Sequence, residues 1–135
     1  MEKEFVPYEL AVKLKALGFD EECFGYYHVN VGYTKGYAFC YFDKPKRFKD
    51  GFDLLAPTFS QAFRWFREKY RLNGLLNHYP NTKKWDCSVH NLEWSGKELM
   101  EYIKTEDRSL RYPEHEEAEL ACLHKLIEIV ESKSE

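Results

Sequence analysis

The chain has 135 residues, of which 44% are hydrophobic and 17% aromatic, and its formal net charge is −3. This composition excludes a disordered chain, because such chains are poor in aromatic and branched apolar residues. Residues 1–5 are mostly charged and no apolar run is long enough for a signal peptide or a membrane span, so we expect one cytoplasmic domain over residues 1–135.

A first helix is predicted to begin at Pro7 and to end at Gly18. Proline suits the first turn of a helix because its missing N–H has no partner there. Apolar residues then recur at helical spacing, namely Leu10, Ala11, Leu14 and Leu17. Gly18 can adopt the left-handed conformation that ends many helices, and Phe19 is placed to fold back on the last turn.

Two strands joined as a β-hairpin are predicted next, over residues 24–31 and 36–42. Both segments are rich in β-forming residues, and the turn-prone residues 32–35 separate them. Because side chains alternate along a strand, the second arm has two faces, one with Tyr37, Phe39 and Tyr41 and the other with Ala38, Cys40 and Phe42. We expect one of these faces to meet the core.

Residues 43–51 are basic and contain a proline and a glycine, so they predict a surface loop rather than a central strand. A second helix is predicted to begin at Thr58. Its hydroxyl can accept from a first-turn N–H while the Gln61 side chain reaches back, which is the arrangement called a capping box. The apolar stripe of this helix is Phe59, Ala62, Phe63, Phe66 and Tyr70, and Asn73-Gly74 predicts its end.

A second hairpin is predicted from strands at residues 75–79 and 85–94, joined by the turn-prone residues 80–83. In the later strand the apolar side chains change faces at His90-Asn91. A β-bulge at this position would restore the register, because a bulge inserts one extra residue into one strand of a pair.

Residues 98–104 fit either a fifth strand or a short helix, and the strand is favoured. The last helix is predicted over residues 113–132, with a broad apolar face that is typical of a helix packed across a sheet. The sequence therefore predicts an α+β fold in the order αββα-ββ(β)α. An antiparallel sheet of about four or five strands, built from hairpins, would pack against the three helices.

Several stretches of the helical framework resemble a family of small uncharacterised bacterial and prophage proteins. They are FVPYELA at residues 5–11, LGFD at 17–20, LAPTFSQAFRWFREKY at 55–70 and EEAELACL at 116–123. The resemblance implies no activity, ligand or catalytic residue. It implies only a prophage or mobile-element setting, in which small accessory proteins bind a host or phage macromolecule.

Four cysteines lie singly in apolar segments, which indicates buried reduced thiols rather than disulfides: Cys23, Cys40, Cys87 and Cys122. Zinc needs about four converging ligands. Only Cys87 and His90 have a short spacing, and on a strand an offset of three directs them to opposite faces. His28 and Cys40 can face each other across the first hairpin, but no third orienting residue is evident. We therefore predict no catalytic residue, metal or cofactor, and an enzyme with a His/Cys site is the least favoured alternative.

Charge is distributed unevenly along the chain. Residues 33–84 contain eleven basic and four acidic residues, whereas residues 1–32 contain three and six, and residues 85–135 contain six and thirteen. The basic middle can face an anionic partner, or the acidic ends of the chain can neutralise it, and the second interpretation is favoured.

One basic and aromatic surface is the candidate site, formed by Lys44, Lys46, Arg47, Lys49, Arg64, Arg67, Lys69 and Arg71 with Tyr33 and Trp65. Phosphates would favour such a surface, and aromatic stacking contributes ~1–3 kcal/mol per base. The acidic net charge and the lack of a nucleic-acid-binding motif count against this function. The leading hypothesis is a non-enzymatic accessory protein that binds another protein, and nucleic-acid binding through residues 44–71 is the alternative. The sequence indicates neither the partner's identity nor the oligomeric state.

Overall fold

The computed structural model of the chain describes residues 2–30, 36–46, 53–92 and 112–133. These residues form three α-helices and five β-strands after a short 3₁₀-helix at Glu2–Glu4. In chain order the elements are α1 (Tyr8–Ala16), β1 (Cys23–Asn30), β2 (Gly36–Lys46), β3 (Asp53–Ala56), α2 (Phe59–Lys69), β4 (Leu72–Tyr79), β5 (Lys84–Asn91) and α3 (His115–Lys133). The predicted α+β fold class is confirmed, with one strand, β3, added to the predicted order.

The contacts within the chain divide it into two compact units, Met1–Ala62 and Phe63–Glu135, with the boundary inside α2. The first unit contains α1 and a three-stranded antiparallel sheet in the order β2-β1-β3. The second contains α3 and the antiparallel pair β4-β5. The strands therefore form two sheets rather than the one that the sequence predicted. The single domain over residues 1–135 stays a prediction.

Helix α1 begins one residue after the predicted start. Pro7 is its N-cap rather than a residue of the first turn, and the N–H of Ala11 donates to the Pro7 carbonyl at 2.9 Å. At the other end Gly18 has a φ of 99°, and the N–H of Phe19 donates to the Leu14 carbonyl at 3.0 Å. A hydrogen bond from an N–H to the carbonyl five residues earlier is characteristic of a Schellman motif, so the predicted glycine stop is confirmed.

The first hairpin is confirmed as the antiparallel pair β1–β2, and its connecting residues 31–35 lie outside the described residues. The prediction of a surface loop over residues 43–51 is wrong for its first part, because β2 continues to Lys46. Pro45 is tolerated there since β2 lies at an edge of the three-stranded sheet, where a strand can lack one N–H without breaking a central ladder.

Strand β3 was not predicted from the sequence. Its four residues are too few to show an alternating pattern, and it forms by antiparallel pairing with β1. The residues that follow β3 are bonded to the N-terminal segment. The N–H of Val6 donates to the Pro57 carbonyl at 2.9 Å, and Phe5 and Thr58 form an isolated antiparallel bridge.

Only half of the predicted capping box at the start of α2 is present. The N–H of Gln61 donates to the Thr58 hydroxyl at 3.2 Å, which confirms Thr58 as the cap. The Gln61 side chain does not reach back to Thr58. Its amide instead donates to the Glu22 carbonyl at 2.8 Å and to the Glu21 carboxylate at 3.3 Å, because these acceptors in the segment before β1 lie within its reach.

The β4–β5 hairpin confirms the predicted turn but corrects the register. Pairing is regular from Tyr79 and Lys84 to Leu72 and Asn91, so the bulge predicted at His90-Asn91 is absent. Leu92, which suggested the slip, lies just beyond β5. A bulge occurs instead in the β1–β2 pair: Cys23 pairs with Lys46 and Gly25 with Tyr41, so the extra residues lie in β2.

The stop predicted for α2 at Asn73-Gly74 is also wrong, because both residues belong to β4. Helix α2 ends at Lys69, and Arg71 takes the left-handed conformation with a φ of 57°. Gly74 has a packing role. A Cβ atom there would lie 2.8 Å from Sγ of Cys122, so only glycine lets α3 approach the sheet this closely.

Helix α3 confirms the last predicted helix and its broad apolar face. The face is buried at Ala118, Cys122, Leu123, Leu126, Ile127 and Val130. Residues 98–104, predicted as a strand or a short helix, lie outside the described residues. Among the helices of the described ranges, none has the length and the apolar character needed to cross a membrane.

Gly25→Ala is expected to lower the free energy of unfolding by about 1–3 kcal/mol, because overpacking forces its neighbours to move. A Cβ atom at Gly25 would lie 2.6 Å from the Phe5 ring and 2.9 Å from the Ala56 carbonyl oxygen. Gly36→Ala is the matched control, since within the described structure no atom lies within 4 Å of its Cβ position. Urea denaturation followed by circular dichroism measures both. Equal losses in the two variants would contradict the packing assignment.

Candidate functional site

The two faces of the three-stranded sheet differ in exposure. Along β1, the central strand, Cys23, Gly25 and Tyr27 are buried, whereas Phe24 and His28 are exposed and Tyr26 is half-buried. Side chains alternate along a strand, so this pattern separates a covered face from an open one.

The N-terminal segment and α1 cover one face of this sheet. The Phe5 and Phe39 rings pack with their centroids 4.9 Å apart, and the rings of Tyr8 and Tyr27 pack edge to face at 5.6 Å. The Tyr27 hydroxyl donates to the Val6 carbonyl at 2.8 Å, which satisfies the one polar atom of this buried side chain. The face with Phe39 is therefore the one that meets the core.

The opposite side of the sheet, which we call the open face, presents six described side chains: Phe24, Tyr26 and His28 of β1, Ala38 and Cys40 of β2, and Leu55 of β3. The register places Cys40 and Leu55 directly beside Tyr26, and Ala38 beside His28. Phe24 is 46% exposed. The outward face of an antiparallel sheet ordinarily carries polar side chains, whereas this one is mainly apolar and aromatic.

The structure places the predicted basic residues in both units. In β2, Lys44 is exposed and Lys46 occupies the last position, while Arg47, Lys49 and Tyr33 lie outside the described residues. In the second unit Arg64, Lys69 and Arg71 are exposed and Arg67 is half-buried. On and just after α2, three of these four cations are therefore exposed.

Trp65 corrects the aromatic part of the predicted site. The sequence placed it as an exposed stacking residue, but it is only 5% exposed. Its ring packs on Phe66 and Tyr70, with centroids 5.1 and 5.4 Å away, and Nζ of Lys69 lies 5.0 Å from its centroid. The indole therefore belongs to the core and is not available to stack on a base.

The structure places one of the two predicted histidine–cysteine pairs on a common face of a sheet and the other on opposite faces. His28 and Cys40 are diagonal neighbours on the open face, since His28 pairs with Ala38 and Cys40 pairs with Tyr26. Cys87 and His90 lie on opposite faces of β5, because the strand is regular. The described residues contain no group of three or more histidine, cysteine, aspartate or glutamate side chains able to hold a metal ion.

All four cysteines are free thiols, and Cys87 on β5 and Cys122 on α3 are both buried in the second unit. Interaction with the Cys122 thiol lowers the pKa of Cys87 below its usual value, against the opposing effect of burial. Interaction with Cys87, together with burial, raises the pKa of Cys122. For comparison, burial raises the pKa of Cys23 to about 12.

A polar network occupies the other face of the β4–β5 hairpin. Asp86 accepts from the Asn77 amide at 2.9 Å and from the Tyr79 hydroxyl at 2.7 Å. Oγ of Ser88 lies 3.1 Å from Nε2 of His90 and is buried. Within the described residues every buried side-chain nitrogen or oxygen has a hydrogen-bond partner, so this network is internally satisfied and structural in character.

Asp86→Ala is expected to lower the free energy of unfolding by about 1–3 kcal/mol, because the Asn77 amide and the Tyr79 hydroxyl lose their acceptor in a partly buried site. Glu128→Ala is the control in the same unit. Glu128 forms an exposed ion pair with Lys125 at 3.1 Å, and such a pair is worth only ~0–1 kcal/mol. Chemical denaturation compares the two, and a smaller loss for Asp86→Ala than for Glu128→Ala would contradict this ranking.

Comparisons with known proteins identify no relative: the chain matches no protein-family model, and neither curated proteins nor solved structures give a significant match. The resemblance to small bacterial and prophage proteins therefore stays a prediction, and so does every function inferred from it.

Proposed function

We propose that this protein is a non-enzymatic accessory protein, of a prophage or mobile element, that binds another protein through the open face. The supporting observation is the alternation along β1, which leaves Phe24 and Tyr26 away from the covered face. Large exposed apolar patches on soluble domains are typical of interaction sites.

The arrangement of the open face fits a binding surface with a central anchor. Tyr26 lies in the middle of the sheet, between Cys40 and Leu55, and is half-buried by its neighbours. Phe24 beside it is exposed. Aromatic side chains in such positions dominate many protein interfaces, because they bury a large area with few rotatable bonds. Lys44 is exposed on β2, the edge strand that also carries Cys40, and it supplies a charged position there.

A photo-crosslinking residue at position 24 is expected to capture one protein partner in the native cell, and the same residue at position 12 is expected not to. Val12 is a matched control because it is apolar, 43% exposed and in the same unit, but on α1. The captured protein, once purified, is then tested for direct binding. Phe24→Ser should raise the Kd at least about tenfold, which is ~1.4 kcal/mol, whereas Val12→Ser should leave it nearly unchanged.

Three outcomes would contradict the proposal: no crosslink at position 24, equal crosslinking at both positions, or equal binding by the two serine variants. Thermal denaturation of each variant establishes that the fold is retained. A captured partner that is a second copy of this chain would identify the open face as a self-association surface.

Nucleic-acid binding is the second candidate, favoured by the exposed Arg64, Lys69 and Arg71. If the protein-binding proposal holds, fluorescence anisotropy should detect no binding to single- or double-stranded DNA or RNA at low salt. Binding that weakens steeply as salt rises, and that Arg64→Gln and Arg71→Gln reduce, would instead support a phosphate-binding surface, because cations that contact phosphates release counterions. Lys3→Gln, which removes a cation far away in sequence, is the control.

A further inference from the structure

We propose that β2 binds an extended peptide strand of the partner protein along its outer edge, the side of its backbone that faces away from β1. The peptide begins with acidic residues and continues with an apolar, β-forming segment. This inference rests on the proposed protein-binding function and names the way in which the partner is held. Strand addition of this kind is a recurring mode of peptide recognition by sheets.

The outer edge of β2 has backbone groups available for pairing. In the described part of the chain β2 pairs only with β1, and it stands at one end of the strand order β2-β1-β3. In an antiparallel pair, alternate residues of a strand direct their N–H and C=O groups toward the neighbouring strand, and the others direct them away. Every second residue of β2 therefore presents a donor and an acceptor that a further strand can use.

Residues 36–41 are the stretch of this edge that fits a straight added strand. Their register with β1 is regular, and their sequence, GYAFCY, contains no charged residue and no proline. Charged residues, prolines and bulges are the features by which edge strands ordinarily avoid pairing with other chains. In β2 these features follow Tyr41, where the bulge, Lys44 and Pro45 lie. The regular stretch before them is left without such protection.

Side chains next to this edge are exposed on both sides of the sheet. Tyr41 is 59% exposed, and on the open face Ala38 is exposed and Cys40 half-buried. Because side chains alternate along a strand, an added strand places one set of its side chains beside Tyr41 and the other set beside Ala38 and Cys40. A segment that is apolar at successive positions would cover apolar surface on both sides, which favours an uncharged, β-forming segment.

The charge beyond this stretch favours acidic residues at one end of the peptide. Residues 43–49 contain four basic residues and one acidic residue, and Lys44 among them is exposed. Glu21, which lies just before β1, already accepts from the Gln61 amide. An added strand is expected to be antiparallel, because antiparallel pairing is the more stable kind. The N-terminal end of the peptide then lies beside the basic end of β2, so acidic residues there are complementary to it.

The same charge distribution disfavours a second copy of this chain as the occupant. Two β2 strands paired antiparallel would place the basic end of each beside residues 36–38 of the other, which carry no acidic group. Such edge pairing would also leave the open faces of both copies uncovered, whereas a stable interface buries about 1,200–2,000 Å² in total. A partner that adds an acidic-headed strand to the edge can place its remaining contacts on the adjoining open face.

The test selects peptides from a random-peptide library displayed on phage, with the immobilised wild-type protein and two lysine variants as parallel baits. Tyr41→Lys places a charge on the edge, whereas Val12→Lys places one at an exposed apolar position of α1 in the same unit. The wild type and Val12→Lys should both enrich peptides in which acidic residues precede a run of β-forming residues. Tyr41→Lys should not enrich them, because a charged edge resists strand addition.

An enriched peptide is then synthesised, and fluorescence anisotropy measures its Kd. Tyr41→Lys should raise the Kd at least about tenfold and Lys44→Glu at least about threefold, whereas Val12→Lys should leave it nearly unchanged. Hydrogen exchange followed by NMR adds a measurement that a side-chain contact alone would not move. Alternate backbone amides of residues 36–41 should exchange at least about tenfold more slowly in the complex, because they donate to the added strand.

The inference is overturned if no peptide is enriched, if the enriched peptides bind Tyr41→Lys as tightly as the wild type, or if the amides of residues 36–41 exchange equally fast in the complex. It is also overturned if the wild type is a dimer that Tyr41→Lys converts into a monomer, because the edge would then hold a second copy. The hydrogen-exchange result on the wild type decides the question even if a variant fails to fold.

These outcomes are distinguishable from failure of the proposed function. A partner that crosslinks at position 24 and binds Tyr41→Lys as it binds the wild type would keep the open face as its site and exclude the edge. The lack of any crosslink at position 24 would contradict the proposed function itself.

Discussion

The first unit depends on one close approach, in which the ring of Phe5 lies against the backbone of Gly25. A side chain at position 25 would occupy the space of that ring, so β1 accepts the N-terminal segment only because a glycine stands there. Once Phe5 is in place, the N–H of Val6 reaches the Pro57 carbonyl and its carbonyl oxygen accepts from Tyr27. The N-terminal segment is thereby tied both to β1 and to the residues that precede α2.

This contact also decides which face of the sheet is covered. On β1 the side chains that share a face with Gly25, those of Cys23 and Tyr27, are buried, while those of Phe24 and Tyr26 point the other way; Tyr41 of β2, which pairs with Gly25, stays 59% exposed at the sheet edge. The core of the unit does not require aromatic residues at positions 24 and 26. A polar residue at position 24 would leave the covered face unchanged. The exposed Phe24 is therefore a feature that the folding of this unit does not require.

Local chemistry explains what the sequence could predict. The left-handed Gly18, the cap at Thr58 and the four-residue turn before β5 each depend on neighbours within a few residues, and each is present. The sequence predicts that the Gln61 side chain accepts from the Thr58 N–H, because only local partners can be read from a sequence, whereas in the fold its amide donates to Glu21 and Glu22. The strand β3 was missed for the same reason, since pairing with β1 creates it.

Features that depend on which side of an element is covered could not be predicted. Residues 23–27 include no charged residue, so the sequence shows no alternation of polar and apolar side chains that could distinguish the open face from the covered one. The apolar stripe of α2 does not include Trp65, so the sequence predicts an exposed position for it, although its ring packs on Phe66 and Tyr70 and is only 5% exposed.

Gly74 is the clearest case of a packing role without a local sequence signal. Next to Asn73 it is typical of a helix stop or a turn, whereas in the fold it lies in β4 and its missing side chain leaves room for Sγ of Cys122 on α3. Glycine therefore acts alike in both units: at position 25 it admits a ring, and at position 74 it admits a sulfur. Neither role can be read from the neighbours along the chain, because each depends on an element that packs against the strand only in the folded protein.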